Sequence, residues 1–484
     1  MKKLTIQRTS LIIVFILLFT IAIRVPISAD TWWHIRSGEY TLTEGMIYGD
    51  PFSHTFEGEP WINHSWGAQI IMMAVWKLAG NVGLSFYTAT FAVAGLAFLY
   101  QIMAGNTYLR AFILVLTAST AAIFWSARPQ MVSYLFTTLL LWLLYRYKRD
   151  GKDWLWGIIP LMWLWSNLHA GWSIGYLFLF AFIVGEAFNN VLKIDENVMP
   201  WSGWRKMLIA TLVSIPFLAL SPYGIDNLLV PFNTVNIDAL RQFIQEWQPP
   251  NFQIVAIYPF IAMIMLLFMA MWSSRLKFDW SSFFLLIGTL FLALQYARNI
   301  SVFAVAATPI ISYHLDNALE ERNWILRPRR SVPTPMLILN VTLIVVVVLG
   351  SIAYIFTQLE PEHVREIQSQ RFPIEAVEYL NEHDFPREMF NGYNFGGYLI
   401  FAAPDYPVYI DGRTDLYTDF VTYSNDVYTA NFEDPLAELD TYDINIVLVE
   451  VVAPLNDVLA ESDAWTLEYE DDLAMLWVRS DTDE

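Results

Sequence analysis

Apolar residues run in long unbroken stretches through the first three quarters of the chain and mix with charge only in the last quarter. Runs near 9–27, 82–104, 109–127, 130–147, 154–168, 171–192, 205–221, 254–273, 280–297, 299–315 and 335–357 each approach the ~20 residues with which an α-helix crosses a bilayer. They predict about eleven transmembrane helices. The stretch 66–80, "WGAQIIMMAVWKLAG", is too short to span and ends in glycine, so it predicts a helix lying in or dipping into an interface. From about residue 358 the pattern changes. "RFPIEAVEYLNEHD" and "PLNDVLAES" have helical periodicity, whereas "YPVYIDGR", "INIVLVEVV" and "LAMLWVRS" read as strands. The expected class is an all-α polytopic membrane domain over 1–357, with a first outer loop at 28–81, followed by a small α/β domain at 358–484.

Composition agrees: 56% of the residues are hydrophobic and 15% charged, far from a soluble average. There is no cysteine, which excludes disulfides, thiol chemistry and thiolate metal sites. The N-terminal "MKKLTIQRTSLIIVFILLFTIAIRVPIS" has the basic start of a signal peptide but lacks a small-x-small cleavage site, and it reads as a retained first membrane helix. With the N-terminus cytoplasmic, "RYKRDGK" (146–152), Lys193 with "WRK" (204–206), "SSRLK" (273–277) and "RPRR" (327–330) all fall on the cytoplasmic side, as the positive-inside rule requires. Counting 66–80 as a span inverts every later loop and breaks that rule. The expected location is therefore a cytoplasmic (inner) membrane, with the C-terminal domain extracytoplasmic. The net charge of −19 is concentrated there: from Glu360 onward about 29 acids face about 5 bases. Such a tail solvates a soluble surface and argues against a nucleic-acid partner.

This topology places the unusual polar motifs on one side. "ADTWWH" (29–34), "GDPFSHT" (49–55), "PWINHSW" (60–66), "ARPQ" (127–130), "NLHAGW" (167–172), "SPYG" (221–224), "QEWQPPN" (245–251) and "ARN" (297–299) all reach the outer face, which predicts a polar cavity opening outward. Desolvation beside Trp32 and Trp33 makes a carboxylate such as Asp30 a better proton acceptor; the alternative is that Asp30 caps a helix. Asp50 is a second acidic candidate, or the cap of the turn "DPFSHT". Glu59 and Glu246 are weaker candidates. His34, His54, His64 and His169 reach the same side, so a divalent metal is compatible with the chemistry, although the spacing matches no ligand motif. Asn167 and His169 fall at the lip of the cavity. Arg128 and Arg298, at outer helix ends, suit a phosphate or snorkel to headgroups. Trp61, Trp66, Trp172 and Trp247 flank these motifs as sugar-stacking faces or as belt residues. In the tail, Asp411 and Arg413 read as a structural ion pair or as acceptor-recognising groups.

A first helix ending in an aspartate, a long first outer loop with a second acid and an interfacial helix, many further spans and an external C-terminal domain together resemble the GT-C glycosyltransferases. That superfamily includes protein O-mannosyltransferases, lipid A aminoarabinose transferases and the oligosaccharyltransferase catalytic subunit. "DTWWHIRSGEY", "GDPFSHTFEGEPWINHSWGAQIIM", "NLHAGW", "SPYG" and "NFGGYLIF…YIDGRTDLY" also resemble a group of bacterial membrane proteins over nearly the whole chain. The resemblance implies a GT-C fold and inverting transfer of a sugar from a polyprenyl-phosphate donor to an envelope glycan, lipid or protein acceptor. It implies Asp30 as the base and Asp50 as the second acid. His34, His64, Trp61, Asn167, His169, Arg128, Arg298 and Glu246 are the substrate-binding candidates. The sequence departs from the pattern in two places: Thr31 follows Asp30, so paired acids are missing, and "TWWHI" has His34 where the oligosaccharyltransferase signature has an acid. A non-catalytic GT-C-fold protein that binds lipid-linked glycan or scaffolds an envelope assembly therefore stays open, as does a transporter.

Overall fold

A computed structural model describes residues 4–194, 198–324 and 332–480. The "RPRR" stretch at 327–330 lies outside the described residues. Helices form along the apolar runs: α1 (Ile6–Ala22), α2 (Asp30–Thr43), α3 (Trp66–Ile102), α4 (Thr107–Ala121), α5 (Gln130–Asp150), α6 (Ile158–Leu168), α7 (Trp172–Val191), α8 (Trp201–Leu218), the short α9 (Val230–Val235) and α10 (Asp238–Phe243), then α11 (Tyr258–Ser273), α12 (Trp280–Gln295), α13 (Ile300–Glu321) and α14 (Thr334–Gln358). Among the described residues five helices are long and apolar enough to cross a membrane: Trp66–Ile102, Thr107–Phe124, Trp172–Val191, Val255–Ser273 and Thr334–Gln358. Three shorter apolar helices, Ile6–Ala22, Leu155–Leu168 and Trp280–Gln295, accompany them. Length and composition thus support a polytopic membrane protein with fewer clear spans than the eleven expected. Helix α3 leaves helical geometry at Ala79 and Gly80, where φ is −150° and +54°, at the end of the stretch read as interfacial.

The chain divides into two compact units. The first comprises residues 1–24, 85–228 and 245–358, and among its described residues the regular elements are all helices. In it α7 packs on α12, α4 and α11 on α13, α6 on α8 and α1 on α14. Apolar faces alone do not set helix register where lipid is as apolar as leucine, so small residues and polar ties do. Thr117 and Thr308 share a hydrogen bond of 2.6 Å between α4 and α13. Near the C-terminal end of α5, Lys148 Nζ reaches both Asp279 oxygens at 2.9 Å, Ser281 Oγ at 2.7 Å and Glu186 Oε1 at 2.6 Å. Glu186 is fully buried and also accepts from Ser281 Oγ at 2.6 Å and from the Met199 amide at 2.8 Å. This ion network joins α5, α7 and the start of α12.

The second unit comprises residues 25–84, 229–244 and 359–484, so the segment read as the first outer loop lies within it. Its sheet has the order β1–β2–β4–β3: β1 (Met389–Asn391), β2 (Ile446–Glu450), β3 (Trp465–Glu470) and β4 (Ala474–Arg479). β1 pairs parallel with β2, while β2 and β3 run antiparallel to β4. Ile446, Val447, Leu448 and Val449 are completely buried, as expected of a central strand covered on both faces. The expectation of a strand at "YPVYIDGR" is corrected: the segment is extended but makes no ladder. Instead its backbone groups pair with the turn of the first loop, Val408 N with Phe52 O and His54 N with Val408 O, each at 3.1 Å. Tyr409 N and Ile410 O bond the Asn391 side-chain amide at 2.8 Å each.

Helices α7 and α12 touch where Gly185 meets Ser281. A Cβ at Gly185 would lie 2.2 Å from Ser281 Cα, a clash with backbone that no rotamer relieves. Gly185→Leu is therefore expected to pry the Lys148–Glu186–Asp279 network apart. The expected cost is at least the ~1–3 kcal/mol of an overpacked core, measured as a lowered thermal-unfolding midpoint in detergent. An unchanged midpoint would show that the contact does not constrain the fold.

Candidate active site

The candidate residues fall into two constellations, one in each unit. In the second unit Asp30 is the first residue of α2, whose N-cap position, Ala29, supplies no side-chain bond. The Asp30 carboxylate is partly exposed, and Trp33 Nε1 donates to its Oδ1 at 3.1 Å. Gly412 gives it room, since a Cβ there would sit 2.1 Å from Asp30 Oδ1. The "IDGR" glycine of the tail thus serves the aspartate of "ADTWWH". His34 is buried, its ring centred 3.6 Å from that of Trp33. The Gln69 amide lies 3.1 Å from His34 Nδ1, and Gln69 is itself held by a reciprocal amide pair with Asn63 at 2.6 and 2.7 Å.

Asp50 is placed differently from Asp30. It is buried at 2% exposure. Its oxygens accept from Phe52 N at 3.0 Å, from Ser53 N at 3.2 Å, from Ser53 Oγ and from Arg413 Nη1. Arg413 is completely buried. It grips Asp411 through Nε and Nη2 at 2.6–3.0 Å, and Tyr417 OH adds a bond to Asp411 Oδ2 at 2.7 Å. The guanidinium also lies over the rings of Trp61 at 4.9 Å and Phe52 at 5.1 Å. Burial opposes the charge on Arg413, but Asp411, Tyr417 and Asp50 outweigh it and push its pKa well above the usual value. Asp50 therefore caps its turn and completes an ion triad.

Trp61 and His64 converge on a residue that the sequence reading did not single out. Asp415 Oδ2 accepts from Trp61 Nε1 at 3.3 Å and lies 3.8 Å from His64 Nδ1. Asp415 is about a quarter exposed. Its signal was a third charged residue in "YIDGRTDLY", two positions after Arg413. His54 Nε2 lies 3.0 Å from the Met389 carbonyl oxygen. Among the described residues no three His, Asp or Glu side chains come together as a metal centre needs.

In the helical unit Glu246 bridges two cations. Arg128 Nη1 stands 3.6 Å from one of its oxygens and Arg298 Nη1 3.6 Å from the other. Arg298 also lies over the Trp247 ring at 4.4 Å, and Ala297 N donates to Gln248 O at 2.9 Å. Burial raises the Glu246 pKa, but Arg128 and Arg298 together outweigh it and hold the carboxyl below its usual range. Arg298 further lines a pocket of about 660 Å³, counting the space open to solvent, with Trp125, Gln130, Ser133, Tyr134 and His169. His169 Nδ1 accepts from Gly171 N at 3.0 Å and lies 2.7 Å from Ser133 Oγ, which accepts from Trp165 Nε1 at 2.7 Å. The Trp165–Ser133–His169 relay leaves Nδ1 unprotonated. Trp125 Nε1 and Tyr134 OH, on residues 5% and 8% exposed, have no hydrogen-bond partner among the described residues. Two buried, unsatisfied donors lining one pocket leave hydrogen-bonding capacity for acceptor oxygens. Asn167 does not line this pocket: its amide donates to the Trp163 and Leu220 carbonyls at 3.0 and 3.2 Å and ties α6 to the end of α8.

No protein-family model and no curated protein matches the sequence. Solved structures do match. The archaeal oligosaccharyltransferase AglB from Archaeoglobus fulgidus, in complex with an inhibitory peptide and a dolichol-phosphate, aligns with a TM-score of 0.55 at 10% identity over 91% of this chain and 69% of that one. ArnT from Cupriavidus metallidurans in the apo state aligns at 0.54 with 12% identity over 95% of both chains. The same protein bound to undecaprenyl phosphate aligns at 0.52 over 98% of both. The chain has the fold of the GT-C membrane glycosyltransferases.

The two ionic arrangements give separate outcomes. Arg413→Met strands Asp50 and Asp411 in the interior, and an uncompensated buried charge costs about 3–5 kcal/mol; loss of folded protein on size exclusion is expected. For Glu246 the folded pKa lies below the unfolded one. Its ion pairs therefore contribute fully above the ordinary carboxyl value of about 4.3, and the contribution is lost as pH falls through the depressed folded value. Wild type is expected to exceed Glu246→Gln in thermal stability at pH 7, with the difference closing below about pH 4. A difference independent of pH would show that the carboxylate charge is not what holds Arg128 and Arg298.

Proposed function

We propose that this protein is a glycosyltransferase that moves a sugar from a polyprenyl-phosphate donor to an acceptor hydroxyl or amide of the cell envelope, on the outer face of the cytoplasmic membrane. The observation that carries this reading is Asp30. It is a partly exposed carboxylate at the first turn of α2, oriented by the Trp33 indole and given room by Gly412, in a chain with the GT-C fold. The solved relatives hold undecaprenyl phosphate or dolichol-phosphate, which supports a lipid-linked donor here.

In the reaction, the acceptor heteroatom attacks the anomeric carbon and its proton passes to the Asp30 carboxylate. The bond between the anomeric carbon and the phosphate oxygen breaks with its electron pair, releasing polyprenyl phosphate and inverting the configuration. Within the helical unit, Arg128 and Arg298 have the charge to bind a lipid phosphate, and Glu246 is the carboxylate they hold without it. Trp125 Nε1 and Tyr134 OH offer donors to oxygens of a ligand in the pocket they line. Trp61, His64 and Asp415 form a polar set suited to acceptor hydroxyls. Asp50 acts through Arg413 as a positioning residue: the triad fixes "IDGR", and with it the niche in which Asp30 sits.

Purified protein in lipid nanodiscs, given a panel of polyprenyl-phosphate sugars with envelope extract as acceptor source, is expected to release polyprenyl phosphate from one donor. Asp30→Asn is expected to lower the rate at least ~10²-fold, the lower range of general-base effects. Gly412→Ala is expected to fall similarly while keeping a folded elution profile. Equal turnover by wild type and Asp30→Asn would remove Asp30 from the chemistry. Donor binding without turnover in wild type would favour the binding-protein alternative, to which the missing second acid after Asp30 points.

A further inference from the structure

The helical unit holds a second pocket, near the C-terminal ends of α5 and α13 and the start of α12, away from Arg128 and Arg298 at the N-terminal ends of α5 and α13. Lys148, Arg149, Lys277, Asp279 and His314 line it, together with apolar Leu276 and Ile310. Asp279 contributes little free negative charge, because Lys148 binds both of its oxygens and Ser282 Oγ donates to it at 2.6 Å. Arg149 differs from Lys148. Its guanidinium lies over the rings of Tyr145 at 4.4 Å and Tyr313 at 4.7 Å, and Nη1 donates to the Ile102 carbonyl at 2.7 Å. Among the described residues no carboxylate pairs with it. His314 Nδ1 is buried in the same wall with no hydrogen-bond partner among the described residues. Lys277 is exposed.

We propose that this pocket binds the phosphate of an anionic phospholipid headgroup. A guanidinium held by two aromatic rings and one carbonyl is pre-organised and loses little entropy on binding an oxyanion. An imidazole nitrogen without a hydrogen-bond partner among the described residues and a long lysine add polar groups from α13 and from the loop before α12. A tetrahedral phosphate presents oxygens in several directions and so engages three elements at once. Leu276 and Ile310 suit the glycerol and first methylenes of a lipid rather than a hydrated free anion. The basic loops "RYKRDGK" and "SSRLK" place this end on the predicted cytoplasmic side, where anionic lipid is enriched. The site is independent of the sugar-transfer reading and touches none of the residues assigned to it.

Native mass spectrometry of the detergent-purified full chain, incubated with phosphatidylglycerol or phosphatidylcholine, tests this. Wild type is expected to retain phosphatidylglycerol selectively. Arg149→Gln and Lys277→Gln are each expected to reduce retention about fivefold, as follows from about 1 kcal/mol per basic residue near anionic lipid. Lys206→Gln, a basic residue outside the pocket, is expected to change nothing. If Arg149→Gln does not fold, Lys277→Gln and His314→Phe carry the test. Equal retention of the two lipids, unchanged retention in the pocket variants, or an equal loss in Lys206→Gln would overturn the proposal. Displacement of phosphatidylglycerol by millimolar inorganic phosphate would overturn the lipid assignment and leave a free-anion site.

Discussion

Arg413 is the constraint on which the second unit depends. A guanidinium with no solvent contact persists only because two carboxylates and three aromatic rings, one of them the phenol of Tyr417, surround it. The desolvation of such ions costs several kcal/mol each, and the geometry that offsets it has to be close to ideal. That requirement joins distant parts of the chain: Asp50 and Trp61 come from the first loop, Asp411 and Tyr417 from the tail. The same registration brings Gly412 against Asp30 and Asp415 against Trp61 and His64. A polar niche beside Asp30 is thus built on a buried and mutually paired charge cluster.

The helical unit manages charge by two contrasting arrangements. Lys148, Glu186 and Asp279 form a closed network in which every ion has partners, and its place between α5, α7 and α12 makes it a packing device. The other arrangement borders an open pocket. Glu246 stands 3.6 Å from each of two arginines, and the neighbouring pocket holds two buried donors without acceptors among the described residues. Closed networks give specificity of packing, whereas open ones leave affinity for a ligand. The difference separates charges closed within the helix packing from charges beside an open pocket, which composition alone treats alike.

Several residues singled out from the sequence make contacts that hold the fold together, and each for a physical reason. Asn167 stands at a helix end where carbonyls lack intrahelical partners, and its amide satisfies one at Leu220 across to the end of α8. Asp50 precedes a turn whose amides need an acceptor, and a buried arginine needs a second carboxylate. Conversely Asp415 was passed over, because an aspartate in an acidic tail carries no signal until Trp61 and His64 are seen to point at it. "YPVYIDGR" has the alternation of a strand, yet its hydrogen bonds go to a loop and to the Asn391 side chain. Periodicity reports which residues are buried, not which backbone they pair with.

By itself the sequence determined the helices, whose placement follows from apolar runs and their polar ends, and the change to a mixed α/β segment near residue 358. It also determined the candidate chemistry, because carboxylates, histidines and arginines clustered at helix ends are conspicuous against an apolar background. Hydropathy depends on a residue and its near neighbours, so a linear reading captures it. Only the tertiary structure decided that Gly412 leaves space beside Asp30 while Asp50 is buried in an ion triad, that Arg128 and Arg298 share one carboxylate, and that Arg149 has none among the described residues. Those outcomes depend on distances between residues up to hundreds of positions apart, and the electrostatic worth of a charge changes several-fold with the burial and partners found there.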